Sequence, residues 1–131
     1  MKFLLDTHIW LWSHREPRKL SSAVAQMIED PSSELWLSPV SIWELIILLE
    51  KKRVSLREDV VQWIEKSKRS LDLHEAPFSW QVAGEIRSTV LSHQDPADRF
   101  LVATAKAYEL TLVTADSRLW DIPGVAVLAN R

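Results

Sequence analysis

A chain of 131 residues with 47% hydrophobic and 26% charged content has the length and balance of one globular domain. Sixteen basic against eighteen acidic side chains leave a net charge of −2, so no global basic field draws in a nucleic acid, and phosphates must be offset locally if they bind. The lack of cysteine excludes disulfides and thiolate metal sites.

The longest apolar run, Leu45 to Leu49, is far too short to cross a bilayer. The first apolar stretch meets Asp6 too early for a signal peptide. One cytoplasmic domain over residues 1–131, with no membrane partner, is the expectation.

Phe3-Leu4-Leu5 is a short apolar run between polar residues, the pattern of a strand buried on both faces. A helix is predicted from Thr7 to about His14. A second helix carries Leu20, Val24, Met27 and Ile28 at helical spacing, with Ser21 or Ser22 as cap and an end near Asp30-Pro31. Leu35 to Leu37 reads as a strand. Ser38-Pro39 then starts a helix, cap and first-turn proline in order, that runs to about Lys52. A further helix after Leu56 carries Val60, Val61 and Ile64.

Leu71 to His74 alternates like a short strand, and Phe78 to Leu91 has helical spacing at Val82, Ile86 and Val90. Asp95-Pro96 opens another helix. Thr111 to Thr114 and Val125 to Leu128 read as the last two strands. Strands alternating with helices predict an α/β domain with a mostly parallel sheet of four or five short strands and helices on both faces. Ligands of such sheets bind outside the carboxyl ends of the strands.

Asp6 and Asp116 fall just past the carboxyl ends of two predicted strands, although aspartate there is also an ordinary cap or turn residue. Glu44 is harder to explain blandly. It stands in VSIWELIILL, which leaves almost no polar face and predicts a buried helix. A carboxylate buried there must be paired, protonated or metal-bound. Asp98 sits in the first turn of the helix that Asp95 caps, where it complements the dipole and faces the same rim as Asp6. Arg99 is expected to pair with a nearby acid.

Four converging carboxylates cannot all stay ionised without a cation, and oxygen donors suit a hard ion such as Mg²⁺ or Mn²⁺. His8 and His93 each lack a second histidine at ligand spacing and are read as surface or capping residues. Trp36 and Trp43 are expected in the core. Trp10 and Trp12, two apart on a helix, cannot face the same way.

The ordered set LLDTH, SPVSIWE, HQDPADRFLVATA and LTLVTAD resembles the PIN domain, and more closely the VapC-type toxins of bacterial toxin–antitoxin pairs. The resemblance covers nearly the whole chain. It implies a Mg²⁺- or Mn²⁺-dependent endoribonuclease, with the family's acids falling on Asp6, Glu44, Asp98 and Asp116 as catalytic and metal-binding residues. Thr114 matches the polar residue ahead of the last acid. The resemblance also implies a homodimer and a small antitoxin partner.

Three departures stand out. Ala97 occupies a position where relatives often carry Phe. Leu48 stands where they often carry a lysine one turn after the glutamate. Lys51-Lys52-Arg53 replaces a common glycine, and makes Lys51 or Lys52 the nearby alternative for gripping a substrate phosphate.

A haloacid-dehalogenase-like phosphatase would need an aspartate where His8 stands. A receiver domain would need a lysine after Thr114, and none occurs. A non-catalytic PIN-like binding module is the remaining alternative.

Overall fold

The computed structural model of the chain describes residues 1–93 and 95–131. Its elements in order are β1 (Lys2–Leu5), α1 (Thr7–Arg15), α2 (Ser22–Glu29), β2 (Glu34–Leu37), α3 (Pro39–Glu50), α4 (Val60–Ser70), β3 (His74–Glu75), α5 (Trp80–Ile86), α6 (Pro96–Tyr108), β4 (Thr111–Thr114) and β5 (Val127–Ala129). Short 3₁₀ turns at Pro17–Lys19 and Ser117–Leu119 complete the path.

The five strands form one sheet in the order β3-β2-β1-β4-β5, and every pairing is parallel. Phe3 registers with Leu35 on one side and Thr111 on the other. The α/β class, the parallel sheet and its strand number are as the sequence predicts.

Strand alternation splits the core in two. Phe3, Leu5 and Val113 face a layer with Ile9, Trp10, Val24, Leu45 and Ile64 from α1 to α4. Leu4 and Leu112 face the opposite way, onto Leu101, Val102 and Ala105 of α6. A strand buried on both faces must be apolar at every position, which accounts for Phe3-Leu4-Leu5. The chain leaves β1 toward β2 and β3, then returns to place β4 on the other side of β1. This reversal opens a crevice at the carboxyl ends of β1 and β4.

Helix ends carry local signals. Ser21, Ser38, Asp59, Ser79 and Asp95 each cap the following helix with a side-chain oxygen. Three helices close in Schellman turns built without glycine. Lys52, Asp72 and Glu109 take left-handed φ values of 59°, 49° and 54°, and the N–H groups of Arg53, Leu73 and Leu110 bond back to Leu48, Lys68 and Ala105.

The turn after α4 explains one revised element. Leu71 to Leu73 serve to close the helix, so only His74–Glu75 remain to pair with Trp36–Leu37 as β3. The strand predicted over Leu71 to His74 is therefore displaced.

The helix predicted over Phe78 to Leu91 spans only Trp80–Ile86. Arg99 places its guanidinium on the carbonyls of Ile86 and Thr89, at 2.8 and 3.1 Å, and occupies acceptors that a longer helix would use. Val90 is consequently 81% exposed. Arg99 thus binds backbone carbonyls, and among the described residues it makes no ion pair with an acid. The last strand lies at Val127–Ala129, slightly later than predicted.

α3 is apolar all round but not buried all round. Ser41 and Leu45 are its buried residues, while Trp43 is 51% exposed and Ile46 is also exposed. Trp43 therefore leaves the predicted core. Trp36 is partly buried and stacks on His74 and Tyr108. Trp10 is fully buried, whereas Trp12 is partly buried, as the helical spacing requires.

Candidate functional site

The crevice between the ends of β1 and β4 is a cavity of about 330 Å³, lined by Asp6, Glu44, Asp98 and Asp116 together with Asp95 and Arg118. All four acids singled out in the sequence therefore meet on one wall system. Asp6 arrives from the end of β1, Asp116 from just past β4, Glu44 from the second turn of α3 and Asp98 from the first turn of α6.

Asp6 occupies the cap position of α1, yet within the described residues its side chain makes no capping bond to that helix. Its Oδ2 instead accepts the Thr114 hydroxyl at 2.6 Å. The same hydroxyl oxygen accepts the N–H of Asp116 at 3.0 Å, so Thr114 ties two of the acids together. Asp6 is buried, and burial pushes its carboxyl above the usual range, partly offset by the Thr114 bond.

Thr7 does the equivalent for Glu44. Its Oγ1 lies 2.5 Å from Glu44 Oε1 and 2.8 Å from Ser41 Oγ. A hydroxyl carries one proton, so if Thr7 donates to the carboxylate, Ser41 must donate to Thr7. Burial, reinforced by Asp6, Asp95 and Asp98, pushes Glu44 up to about 7.

Asp98 is buried, and its Oδ2 lies 2.6 Å from His93 Nε2. With the carboxylate accepting, Nε2 carries the proton, and His93 Nδ1 is left buried without a partner among the described residues. Burial still holds the Asp98 carboxyl above its ordinary value despite this bond. Asp116 behaves oppositely. Arg118 grips both of its oxygens, at 3.0 and 2.8 Å, and keeps its carboxyl below the ordinary value.

Three of the four carboxyls are thus displaced toward the protonated form, which is the signature of negative charge crowded into a buried place. Such a donor set fits a divalent cation. One donor atom each from His93, Asp98 and Asp116 lie within 4.8 Å of one another, a spacing that one ion could bridge. A ring nitrogen beside carboxylates is compatible with Mn²⁺ as well as Mg²⁺.

Sequence reasoning set His93 aside as a surface or capping residue. The structure sets its half-buried ring against Asp98, and the short spacing from Asp98 is the available signal. Asp95 was read as a cap, and it does accept the N–H groups of Ala97 and Asp98, but it also lines the cavity. Thr7, Ser41 and Arg118 carried no chemical signal in the sequence. Their roles depend on which side chains they meet.

Residues 3–125 match the PIN domain family. The chain is similar to the ribonuclease VapC22 of Mycobacterium tuberculosis, 34% identical over a 121-residue alignment that covers 88% of each protein. Its fold is similar to a chain of VapBC2 from Rickettsia felis, solved bound to a DNA fragment from its promoter, with a TM-score of 0.68, 17% identity and 98% of each chain covered. It is likewise similar to a chain of DNA-bound VapBC from Salmonella typhimurium, with a TM-score of 0.66, 22% identity, and 100% and 99% of the two chains covered. At those identities the two structures bear on the fold alone. The family match over nearly the whole chain, together with the VapC22 likeness, establishes that this protein belongs to the PIN domain family.

Proposed function

We propose that residues 1–131 act as one PIN-domain unit, a Mg²⁺- or Mn²⁺-dependent endoribonuclease that forms the toxin half of a type II toxin–antitoxin pair. The observation that carries this reading is the meeting of Asp6, Glu44, Asp98 and Asp116 on one cavity, with three of their carboxyls raised. The likeness to a protein named as a ribonuclease supports the same reading, and the fold is one shared with chains of VapBC complexes.

A bound divalent ion would supply Lewis acidity and charge neutralisation at the scissile phosphate. Asp6, Glu44, Asp98 and Asp116 would hold it, with His93 beside Asp98 and Asp116. Thr114 orients Asp6, and Thr7 orients Glu44 through Oε1. Glu44 Oε2, the oxygen that does not accept from Thr7, would be the one that meets the ion. In-line attack on phosphorus leaves a 5′-phosphate and a 3′-hydroxyl.

The partner assignments belong to the same proposal: RNA as substrate, a small cognate antitoxin as inhibitor, and a second copy of the chain in a homodimer. The exposed apolar surface at Val40, Trp43, Phe78 and Phe100 supports a protein interface. Among the described residues no helix is long and apolar enough to cross a membrane, and the cytoplasm is the proposed location.

The deciding assay incubates the purified chain with a structured RNA in Mn²⁺ and in EDTA, and maps the product ends. Metal-dependent cuts with 5′-phosphates are expected. Binding without cleavage would support the non-catalytic module instead, and hydrolysis of a small phosphomonoester would support a phosphatase.

A further inference from the structure

A second cavity, of about 450 Å³, opens beside the acidic one. His8 and Trp12 line both, so the two cavities adjoin along α1. The second cavity differs sharply in charge. Arg15, Lys19 and Arg53 line it against the single carboxylate of Glu16, over an apolar floor that includes Leu48. A chain of net charge −2 therefore carries a local excess of two positive charges directly next to its most acidic cavity.

Two of the cations, Arg15 and Lys19, are held by contacts of their charged ends. Arg15 Nη2 donates to the Ser55 carbonyl at 3.2 Å. Lys19 pairs with Glu16 at 2.7 Å and lies over the Trp12 ring, 5.3 Å from its centroid. The Schellman turn at Lys52 folds the chain back, so that the Arg53 N–H bonds to the Leu48 carbonyl at 2.9 Å and both residues line one wall. Lys51 and Lys52, the alternatives drawn from the sequence, are exposed and line neither cavity. Arg53 is the cation that stands beside Leu48.

From this geometry we infer that the basic groove holds the phosphodiester backbone of single-stranded RNA flanking the cleaved bond, with Arg53, Lys19 and Arg15 as its phosphate contacts. The inference rests on the nuclease reading above and adds the path of the substrate. An RNA entering the acidic cavity meets repulsion from five carboxylates, and only neighbouring cations can offset it before a metal is engaged. Three cations lining a cavity beside the acidic one match a polyanion better than they match a neutral apolar partner. A protein occupant is the competing outcome.

The test uses the full chain and a fluorescein-labelled, mixed-sequence single-stranded RNA. Anisotropy in EDTA at several NaCl concentrations reads binding without cleavage, and parallel reactions in Mn²⁺ read cleavage. Lys19→Ala/Arg53→Ala is expected to weaken RNA binding roughly tenfold and to flatten the plot of log affinity against log salt by about 1.4, or about 0.7 per lost contact. In Mn²⁺ its KM should rise with little change in kcat, and Arg53→Lys should recover most of the salt dependence. Thermal melting establishes that the variants are folded.

A double variant that binds RNA with wild-type affinity and salt dependence, while wild type cleaves, would overturn the groove assignment and leave the groove to a protein. A wild-type chain that cuts no RNA in Mn²⁺ would overturn the nuclease reading itself, and the groove assignment with it.

Discussion

The Thr114 hydroxyl reaches across from β4 to Asp6 at the end of β1, 2.6 Å from Oδ2, and closes a contact between residues 108 positions apart. Because its oxygen also accepts the Asp116 N–H, one side chain sets the geometry of two acids. Replacing it with valine keeps the shape and removes the hydroxyl. Thr114→Val should cost about 1–3 kcal/mol, the penalty for leaving buried polar partners unmet, and should weaken Mn²⁺ binding. Urea unfolding and calorimetric titration measure the two effects, and Thr114→Ser should restore most of both.

Stability of the metal-free chain should depend on pH with a definite sign. Glu44 sits at about 7 when folded, against 4.5 for an ordinary glutamate, and Asp6 and Asp98 are raised in the same direction. Between those values the unfolded chain binds fewer protons than the folded one, so stability falls as pH rises from about 4.5 to about 7. Asp116, held low by Arg118, acts oppositely, but only below its ordinary value of 3.8. Glu44→Gln should flatten the decline and gain about 1 kcal/mol at pH 8, a figure discounted for the partial exposure of the group. The same variant should lose RNA cleavage by about a hundredfold or more. A melting temperature that climbs from pH 5 to pH 7.5 would contradict the crowded-acid site.

Divalent ions should reverse that weakness. At a hundredfold excess over its dissociation constant, Mn²⁺ is expected to stabilise the fold by about 2.7 kcal/mol, and EDTA should remove the gain. Asp98→Asn should lose most of the response, since Asp98 stands at both the cavity wall and the His93–Asp116 donor cluster. Thermal melting with and without Mn²⁺ decides it.

Two tryptophans test the burial pattern. Trp10 is fully buried and donates through Nε1 to Ser67 Oγ at 2.8 Å. Trp10→Phe should cost about 2–4 kcal/mol through lost volume and a lost bond. Trp43→Ser, at a half-exposed position, should change stability by less than about 0.5 kcal/mol. Trp43→Glu tests whether the apolar surface proposed as a protein interface joins two copies of the chain, and the expected outcome is a sedimentation coefficient lowered to that of a monomer.

The left-handed turns offer a stabilising change. Lys52 and Glu109 hold φ values that a Cβ disfavours. Lys52→Gly and Glu109→Gly should each gain up to about 1 kcal/mol in denaturant unfolding by relieving that conformation.

The parallel α/β fold was legible in the sequence because its cause is local. Strands buried on both faces must be continuously apolar, and Phe3-Leu4-Leu5 and Leu112-Val113 are. The acids were legible because Asp6 and Asp116 fall just past the ends of such strands, and because Glu44 stands in a helix with almost no polar neighbour. Capping residues at Ser38 and Asp95 announced their helices for the same local reason. Tertiary structure alone decided the rest. Whether an apolar helix is covered depends on what packs against it, so Trp43 and Ile46 of α3 lie exposed. The end of α5 depends on Arg99, which reaches its carbonyls from α6. Thr7 acquires its chemistry only when folding sets it against Glu44, because hydrogen bonds depend on separation in space rather than along the chain; His93 and Arg118 stand close to Asp98 and Asp116 in the sequence, but only the fold turns their side chains onto those acids.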